Sequence, residues 1–300
     1  MSKGIVEQAA EVFKPQAPLW ACELTSKHVI VGGANRSRRQ VAAQLKSELP
    51  GGALSVSQSE TNIQNPEVAR SAIKELLTTA GFRGSEIAVV VPDDTSRIAF
   101  LTAENAVKKT GDLQTFIRWK LKKTVPFDVD SAQVAFQILG RHNAGQGVDM
   151  LVALSPRSIV EEYENLFDSL DIHAGMVLPS TLAALNLFEP PAGDTLYLKV
   201  SPDSITTSVF QNKRIQFYRR VADVSLYDAV FPTIMYYQDK LGGQALENFF
   251  VCGYEADLRT SLQEVQEKTG LSPQRMEPRN IDDVYKPVFG SVHLSWRSLI

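Results

Sequence analysis

With 300 residues, of which 44% are hydrophobic, the chain can bury a substantial core as one large or two moderate domains. Its 31 basic and 34 acidic side chains leave a net charge of −3, which argues against a general binder of nucleic-acid backbones. No apolar run approaches the roughly 20 residues that a membrane-spanning helix needs. The sequence therefore predicts a cytoplasmic protein without direct membrane insertion, whose Cys22 and Cys252 stay reduced inside apolar strands.

The N-terminal part begins with a predicted flexible leader, residues 1–18, which ends at the helix breaker Pro18. Residues 20–33 contain two apolar runs around a polar turn, a pattern typical of a β-hairpin. A helix is predicted to begin at Pro66 and to end at Gly81, because the apolar residues between them keep the helical period.

Further strands and helices are predicted before the middle of the chain. Residues 86–92 form an apolar, β-branched run, which predicts a buried strand. Residues 95–101 are predicted to pair with this strand across a turn at Asp93 and Asp94. Three later elements are a strand over 149–154, a helix over 159–170 and a short helix over 180–188.

An amphipathic helix with a forced end is predicted between the strands at 95–101 and 149–154. Asp112 can accept hydrogen bonds from the first free backbone N–H groups of this helix. Phe116, Trp119 and Val125 recur behind it at helical spacing. Pro126 is predicted to end the helix, and residues 132–138 then alternate in the manner of a strand with one buried face.

The second half of the chain repeats part of the first. Residues 190–193, Pro-Pro-Ala-Gly, are the best candidate linker. Beyond them, residues 196–200 and 205–210 predict a hairpin, and residues 214–221 a third strand. This strand, turn and strand pattern matches that of residues 19–33, so the sequence predicts two related lobes.

The region around the forced helix end carries a family resemblance. It contains Arg-Trp at 118–119, Val-Pro-Phe at 125–127, an acidic pair at Asp128 and Asp130, and a strand that ends at Gly140. In this order and at this spacing, the residues resemble the PilM family of actin-like type IV pilus assembly proteins. The resemblance extends from about residue 19 to the C-terminus.

What the resemblance implies for the fold is an α/β, two-lobed, actin-like (RNase H-like) structure with an inserted small α/β subdomain. The first lobe is expected over residues 19–189, with the inserted subdomain at about 95–155. The second lobe is expected over residues 190–300 and includes a C-terminal return helix at 288–297.

The resemblance also raises the question of a nucleotide. Actin-like proteins, as a family, hold ATP with two hairpins, each with an Asp followed two residues later by a Gly, and with a third glycine loop. The matching positions here are Glu23, Thr25, Lys199, Ser201 and Gly253. A lysine in place of a metal-linked carboxylate reverses the local charge, and Pro202 removes a backbone donor. The expectation is therefore a pseudo-ATPase without catalytic residues, and ATP and Mg²⁺ are disfavoured as cofactors.

Two alternatives stay open at the nucleotide cleft. Lys199 could contact a phosphate directly as a point charge. An active ATPase or kinase would use Glu23 as a metal ligand or base. Elsewhere the sequence predicts no metal site, because His28, His142, His173 and His293 are isolated, and the carboxylate pair Asp93 and Asp94 is typical of a turn cap.

The function implied by the resemblance is that of a cytoplasmic scaffold in the inner-membrane assembly complex of a type IV pilus. Its expected partner is the N-terminal cytoplasmic tail of a PilN-like bitopic protein, with pilus motor or platform proteins as further candidates. The tail would hold the protein peripheral to the inner membrane. The candidate partner-binding residues are Arg118, Trp119, Phe127, Phe136 and Ile138. A cytoplasmic domain of a type II secretion platform is a further alternative.

Overall fold

The computed structural model describes residues 17–103, 110–142, 147–253 and 258–293. Most of the predicted leader and the last part of the predicted return helix lie outside these ranges. The strands, in chain order, are β1 (Trp20–Leu24), β2 (His28–Ala34), β3 (Val41–Glu48), β4 (Glu86–Val91), β5 (Arg97–Ala103), β6 (Gln133–His142), β7 (Gly147–Ser155), β8 (His173–Pro179), β9 (Thr195–Val200), β10 (Ile205–Gln211), β11 (Arg214–Val221), β12 (Asn248–Cys252) and β13 (Pro273–Arg275).

Helices cover the sheets and connect their strands. They are α1 (Pro66–Ala80), α2 (Thr110–Leu121), α3 (Arg157–Asp168), α4 (Ser180–Leu185), α5 (Leu226–Lys240), α6 (Leu258–Thr269) and α7 (Lys286–Ser291). Short 3₁₀ turns occupy Asp93–Thr95 and Asp283–Tyr285. Across the described residues, no helix combines the length and apolar character needed to cross a membrane.

Two five-stranded sheets have the same topology, and each forms the centre of one lobe. The first has the order β3-β2-β1-β4-β8 and the second β11-β10-β9-β12-β13. In both, an antiparallel hairpin and a third strand lie on one side, and two parallel strands follow on the other. The repeated hairpin pattern in the sequence therefore reflects two lobes with one topology.

The core of the first lobe is built as its sequence pattern predicts. Helix α1 begins where the Asn65 side chain accepts a hydrogen bond from the Val68 backbone N–H, and it ends at Gly81, whose φ is +78°. Its face with Ile73 and Leu77 packs against the apolar strands of the first sheet. Both cysteines are free and buried, as their apolar surroundings predicted.

The C-terminal helix α7 returns from the second lobe to pack on the first. A Cβ added to Gly32 of β2 would lie 2.6 Å from Cγ2 of Val288. Two residues after Val288, a Cβ added to Gly290 would lie 1.9 Å from the Ala183 carbonyl oxygen of α4. The return helix and the first lobe therefore approach each other at backbone distance.

The inserted three-stranded sheet has the order β5-β7-β6 and packs against α2. Strand β5 pairs with β7, so the prediction that residues 95–101 pair with the strand at 86–92 is wrong. The 3₁₀ turn at Asp93–Thr95 instead directs the chain out of the first sheet and into the insert. Strand β8, which the sequence pattern did not indicate, takes the place beside β4.

Helix α2 differs from its prediction in both its end and its buried face. It ends at Leu121, where the backbone N–H and hydroxyl of Thr124 both donate to the Leu121 carbonyl, so Pro126 is not its stop. The buried side chains are Leu113, Ile117 and Leu121, and Trp119 is 70% exposed. Phe116 and Val125 pack against the insert core as predicted, so the predicted apolar face is wrong at Trp119.

Strand β6 keeps the predicted alternation only for its first half. Val134 and Phe136 are partly buried against the insert core. A β-bulge between Ile138 and Gly140 then shifts the register, and Ile138 is 52% exposed. The sequence could not indicate this shift, because a bulge is set by the partner strand.

Candidate functional site

The turns of the two lobe hairpins meet where the lobes join. The Ser26 backbone N–H, in the β1–β2 turn, donates to Oδ2 of Asp203 in the β9–β10 turn over 3.2 Å. Thr25 is buried and closes its own turn by accepting at Oγ1 from the His28 backbone N–H over 2.9 Å. The Asp203 side chain of the second hairpin thus accepts a hydrogen bond from the backbone of the first hairpin.

Glu23 lies near the end of β1 and is buried at this junction. The Ser180 hydroxyl donates to its Oε1, and among the described residues its Oε2 has no hydrogen-bond partner. Burial raises the pKa of Glu23 to about 7, against the opposing effects of the Lys199 charge and the Ser180 hydrogen bond. The negative charges of Asp93 and Asp203 raise this pKa further.

Glu23 should make stability fall as the pH rises. In the unfolded chain Glu23 loses its proton near the ordinary pKa of 4.5, and in the folded chain it loses it near 7. The free energy of unfolding therefore falls as the pH rises from about 4.5 to about 7, and it does not change further above pH 7. Relative to Glu23→Gln, the wild-type protein should lose roughly 3 kcal/mol of unfolding free energy across this window. Urea unfolding of both proteins at about pH 5 and at about pH 8 measures how the difference in their unfolding free energies changes with pH. An unchanged difference would contradict the prediction, and Glu75→Gln on the exposed face of α1 controls for the loss of one charge.

Lys199 occupies the equivalent place near the end of β9 and is also buried. Its Nζ donates to the Ser201 hydroxyl, and the Ser201 backbone N–H donates to the Ser204 carbonyl over 2.9 Å. The second turn is therefore closed by its own polar groups, with a cation at its base.

Asp93 is a buried cleft residue that the sequence analysis treated as a turn cap. It accepts from the Thr181 backbone N–H over 2.8 Å, from the Thr181 hydroxyl over 2.5 Å and from the Thr206 hydroxyl over 3.4 Å. Because Thr206 belongs to β10, this carboxylate links the lobes. Asp94 links them a second time through an ion pair with Arg220. The position of Asp93 directly after the predicted strand at 86–92 was the signal in the sequence that could have indicated a cleft residue.

Gly253 follows β12, and its backbone N–H donates to Oδ2 of Asp283 over 3.2 Å. Oδ1 of Asp283 lies 2.9 Å from Nζ of the buried Lys286. Beside this loop is a cavity of about 760 Å³, lined by both polar and apolar residues. Its lining residues include Lys46, Gly253, Arg259, Arg275 and Asp282.

A second site is an apolar groove between the insert and the first lobe. It consists of two adjoining cavities of about 390 Å³ and about 550 Å³, and both are lined by Ala135, Ala153, Leu178 and Leu182. The smaller cavity extends toward α3, and the larger extends toward α4 and the β10–β11 turn of the second lobe. We call the two cavities together the insert groove.

The five predicted partner-binding residues divide between two places. Phe136 and Ile138 line the insert groove. Arg118 lies elsewhere on the insert and donates to the carbonyl oxygens of Val129 and Ala132, so it holds the loop before β6. Trp119 is exposed on α2, and Phe127 packs against the insert core. The structure therefore does not bring these last three to the groove.

Two strand edges face the insert groove. Strand β6 lies at the edge of the insert sheet and β8 at the edge of the first sheet. Consecutive residues of each strand line the groove, 133–139 of β6 and 174–179 of β8. Because successive side chains of a strand point to opposite faces, consecutive lining residues indicate that the strand edge faces the groove.

The comparison with solved structures agrees with this architecture. The protein-family models and the curated proteins give no match to the sequence. A solved chain of a PilM–PilN type IV pilus biogenesis complex matches with a TM-score of 0.74 at 14% identity, over 95% of this chain and 100% of the other. A Bacteroides thetaiotaomicron protein with an actin-like ATPase fold matches with a TM-score of 0.57 at 10% identity, over 89% and 93% of the two chains.

This chain has an actin-like fold. The cytoplasmic domain of EpsL, an inner-membrane component of the Vibrio cholerae type II secretion system, matches this actin-like chain with a TM-score of 0.51 at 11% identity. That match covers 86% of this chain and 85% of the other. The expected likeness to PilM is thus confirmed at the level of the fold.

Proposed function

We propose that this protein is a scaffold of a type IV pilus assembly complex. It holds the N-terminal cytoplasmic tail of a PilN-like bitopic membrane protein in the insert groove, and it does not hydrolyse ATP. The groove is the observation that carries the proposal, and the structural similarity to a chain solved in a PilM–PilN complex supports this class of partner. The protein is then cytoplasmic and reaches the inner membrane through the tail, with pilus motor or platform proteins as further candidate partners.

The groove has the two features that recognition of an extended tail requires. Leu178, Leu182 and Leu185 supply apolar surface for alternate side chains. The edge of β6 supplies backbone donors and acceptors, and in the part of the chain that the structure describes no strand pairs with this edge. Both features belong to ordered secondary structure, so the groove itself loses little conformational entropy on binding.

The binding test uses a synthetic peptide with the cytoplasmic tail sequence of the PilN-like bitopic protein from the same organism. Calorimetry should give saturable binding at one peptide per chain, with the same affinity in the presence and absence of magnesium and ATP. A peptide of the same composition in scrambled order is the control. Absence of binding by the natural tail would contradict the proposed function.

The lack of ATP hydrolysis is supported by the occupants of the cleft. Lys199 stands where a metal-linked carboxylate belongs in the family pattern, and Asp203 and Asp283 already accept from the backbone N–H groups of Ser26 and Gly253. Such N–H groups are those that cradle phosphates in a nucleotide site. A phosphate placed there would meet carboxylates of like charge, so these residues do not fit a magnesium nucleotide.

An active ATPase is the second candidate, and one observation favours it. Glu23 and Asp93 are buried carboxylates at the same junction, and such pairs can hold Mg²⁺. Two further facts weigh against it. Asp93 already accepts three hydrogen bonds, and the raised pKa of Glu23 leaves much of it protonated at neutral pH, when it is a poor metal ligand.

Calorimetry with ATP and Mg²⁺ distinguishes these two candidates. We expect no saturating heat at micromolar or millimolar nucleotide, and no phosphate release above the buffer rate. Saturation at micromolar levels would support the ATPase instead. In that case Glu23→Gln should abolish the metal-dependent part of the heat, because it removes the carboxylate and keeps its shape.

The cytoplasmic domain of a type II secretion platform is the third candidate. The similarity to the EpsL domain supports it, with a TM-score of 0.51 against 0.74 for the PilM chain. The wider coverage of the PilM chain favours the pilus assignment. Deleting the gene should abolish surface pili and leave protein secretion unchanged, whereas the reverse result would favour the secretion platform.

A further inference from the structure

The insert groove has charges of opposite sign at its two ends. At the end formed by residues 133–135 of β6, Glu164 of α3 lines the cavity. Glu86 lies beside it, because its Oε1 would be 2.1 Å from a Cβ added to the lining residue Gly175. Within the described chain, no lysine or arginine lines this cavity. We call this the acidic end.

The other end is basic and is supplied by the second lobe. Lys213, in the β10–β11 turn, and Arg214, the first residue of β11, line the larger cavity. The Arg214 guanidinium lies over β6, since its Nη1 would be 2.6 Å from a Cβ added to Gly140. No aspartate or glutamate lines this cavity among the residues that the structure describes. The groove therefore has an electrostatic direction.

Both bounding strands run from the acidic end to the basic end. On β6, residues 133–135 line the smaller cavity and residues 135–139 line the larger one. On β8, residues 174–177 line only the smaller cavity, and α4 continues toward the basic end. The seven residues of β6 span roughly 20 Å at the usual strand rise, which is room for about six residues of an extended segment.

The cytoplasmic tail of a bitopic inner-membrane protein carries its own charge direction. Lysine and arginine are enriched in cytoplasmic segments close to the membrane-spanning helix. Such residues are attracted by Glu164 and Glu86 and repelled by Lys213 and Arg214. The tail's α-amino group adds one positive charge at the far end and is outweighed by several membrane-proximal side chains.

We propose that the insert groove binds the tail in one direction only, as a strand antiparallel to β6, with the tail's basic membrane-proximal residues at the acidic end. This inference rests on the proposed function and adds the direction and charge of the partner. Antiparallel pairing is also the slightly more stable of the two ladder geometries. The acidic end, formed with α3 and β8, then faces the membrane.

Charge reversal tests the direction. Glu164→Lys should weaken binding of the natural tail peptide by about tenfold at low salt, and by less as salt rises. Exchanging the peptide's membrane-proximal basic residues for glutamate should restore the affinity of Glu164→Lys and weaken that of the wild type. Lys213→Glu combined with Arg214→Glu should not weaken binding of the natural tail. Glu75→Lys, an exposed change on α1 away from the groove, is the matched control.

A photoreactive amino acid at either end of the peptide reports the direction independently of affinity. A probe at the membrane-proximal end should crosslink to the chain near Glu164, and a probe at the N-terminal end should crosslink near Lys213. The reverse crosslinks, or equal affinities of all charge variants, would overturn the proposed direction while leaving tail binding intact. Absence of binding by the wild type would overturn the proposed function itself.

Discussion

Ala135→Arg should abolish tail binding while leaving the fold intact. Ala135 lines both cavities of the insert groove and is exposed, so an arginine there occupies the groove without entering the core. The added side chain blocks the β6 edge and places a charge against the leucines. We expect the affinity for the tail peptide to fall at least about hundredfold, equivalent to roughly 3 kcal/mol.

The control for this variant is Gln114→Arg, which adds the same side chain to the exposed face of α2 in the same subdomain. Both variants should unfold within about 0.5 kcal/mol of the wild type, as surface substitutions usually do. Calorimetry with the tail peptide measures the binding, and urea unfolding checks the fold. Equal affinities of the two variants would exclude the insert groove as the tail site.

Gly290→Ala should strongly destabilise the protein, because helix α7 and α4 touch at backbone distance. The new methyl group would lie 1.9 Å from the Ala183 carbonyl oxygen and 2.8 Å from its carbon, and backbone atoms cannot rotate out of the way. Helix α7 must therefore move off the first lobe. We expect a loss of about 3 kcal/mol or more of unfolding free energy.

Gly51→Ala is the matched control for this backbone contact. A Cβ at Gly51 meets nothing within 4 Å, so this variant should unfold within about 0.5 kcal/mol of the wild type. Urea unfolding followed by circular dichroism gives both values. A Gly290→Ala midpoint equal to that of Gly51→Ala would show that the return helix is not packed as described.

The cleft contains residues that only the tertiary structure brings together. The sequence placed Glu23 and Lys199 at equivalent hairpins. The structure adds Asp203 and Asp283, which accept hydrogen bonds from the backbone N–H groups of Ser26 and Gly253. Neither carboxylate has a sequence signature, because its partner lies in another part of the chain.

The amino-acid sequence by itself determined the repeated hairpins and the helix from Pro66 to Gly81, since periodicity and turn residues are local properties. The insert was expected only from the resemblance to the PilM family. Only the tertiary structure decided which strand pairs with β4, which face of α2 is buried and where β6 changes register. These features depend on the packing partner, which local patterns do not specify. The insert groove belongs to the second group, because its walls come from the insert, the first lobe and the second lobe.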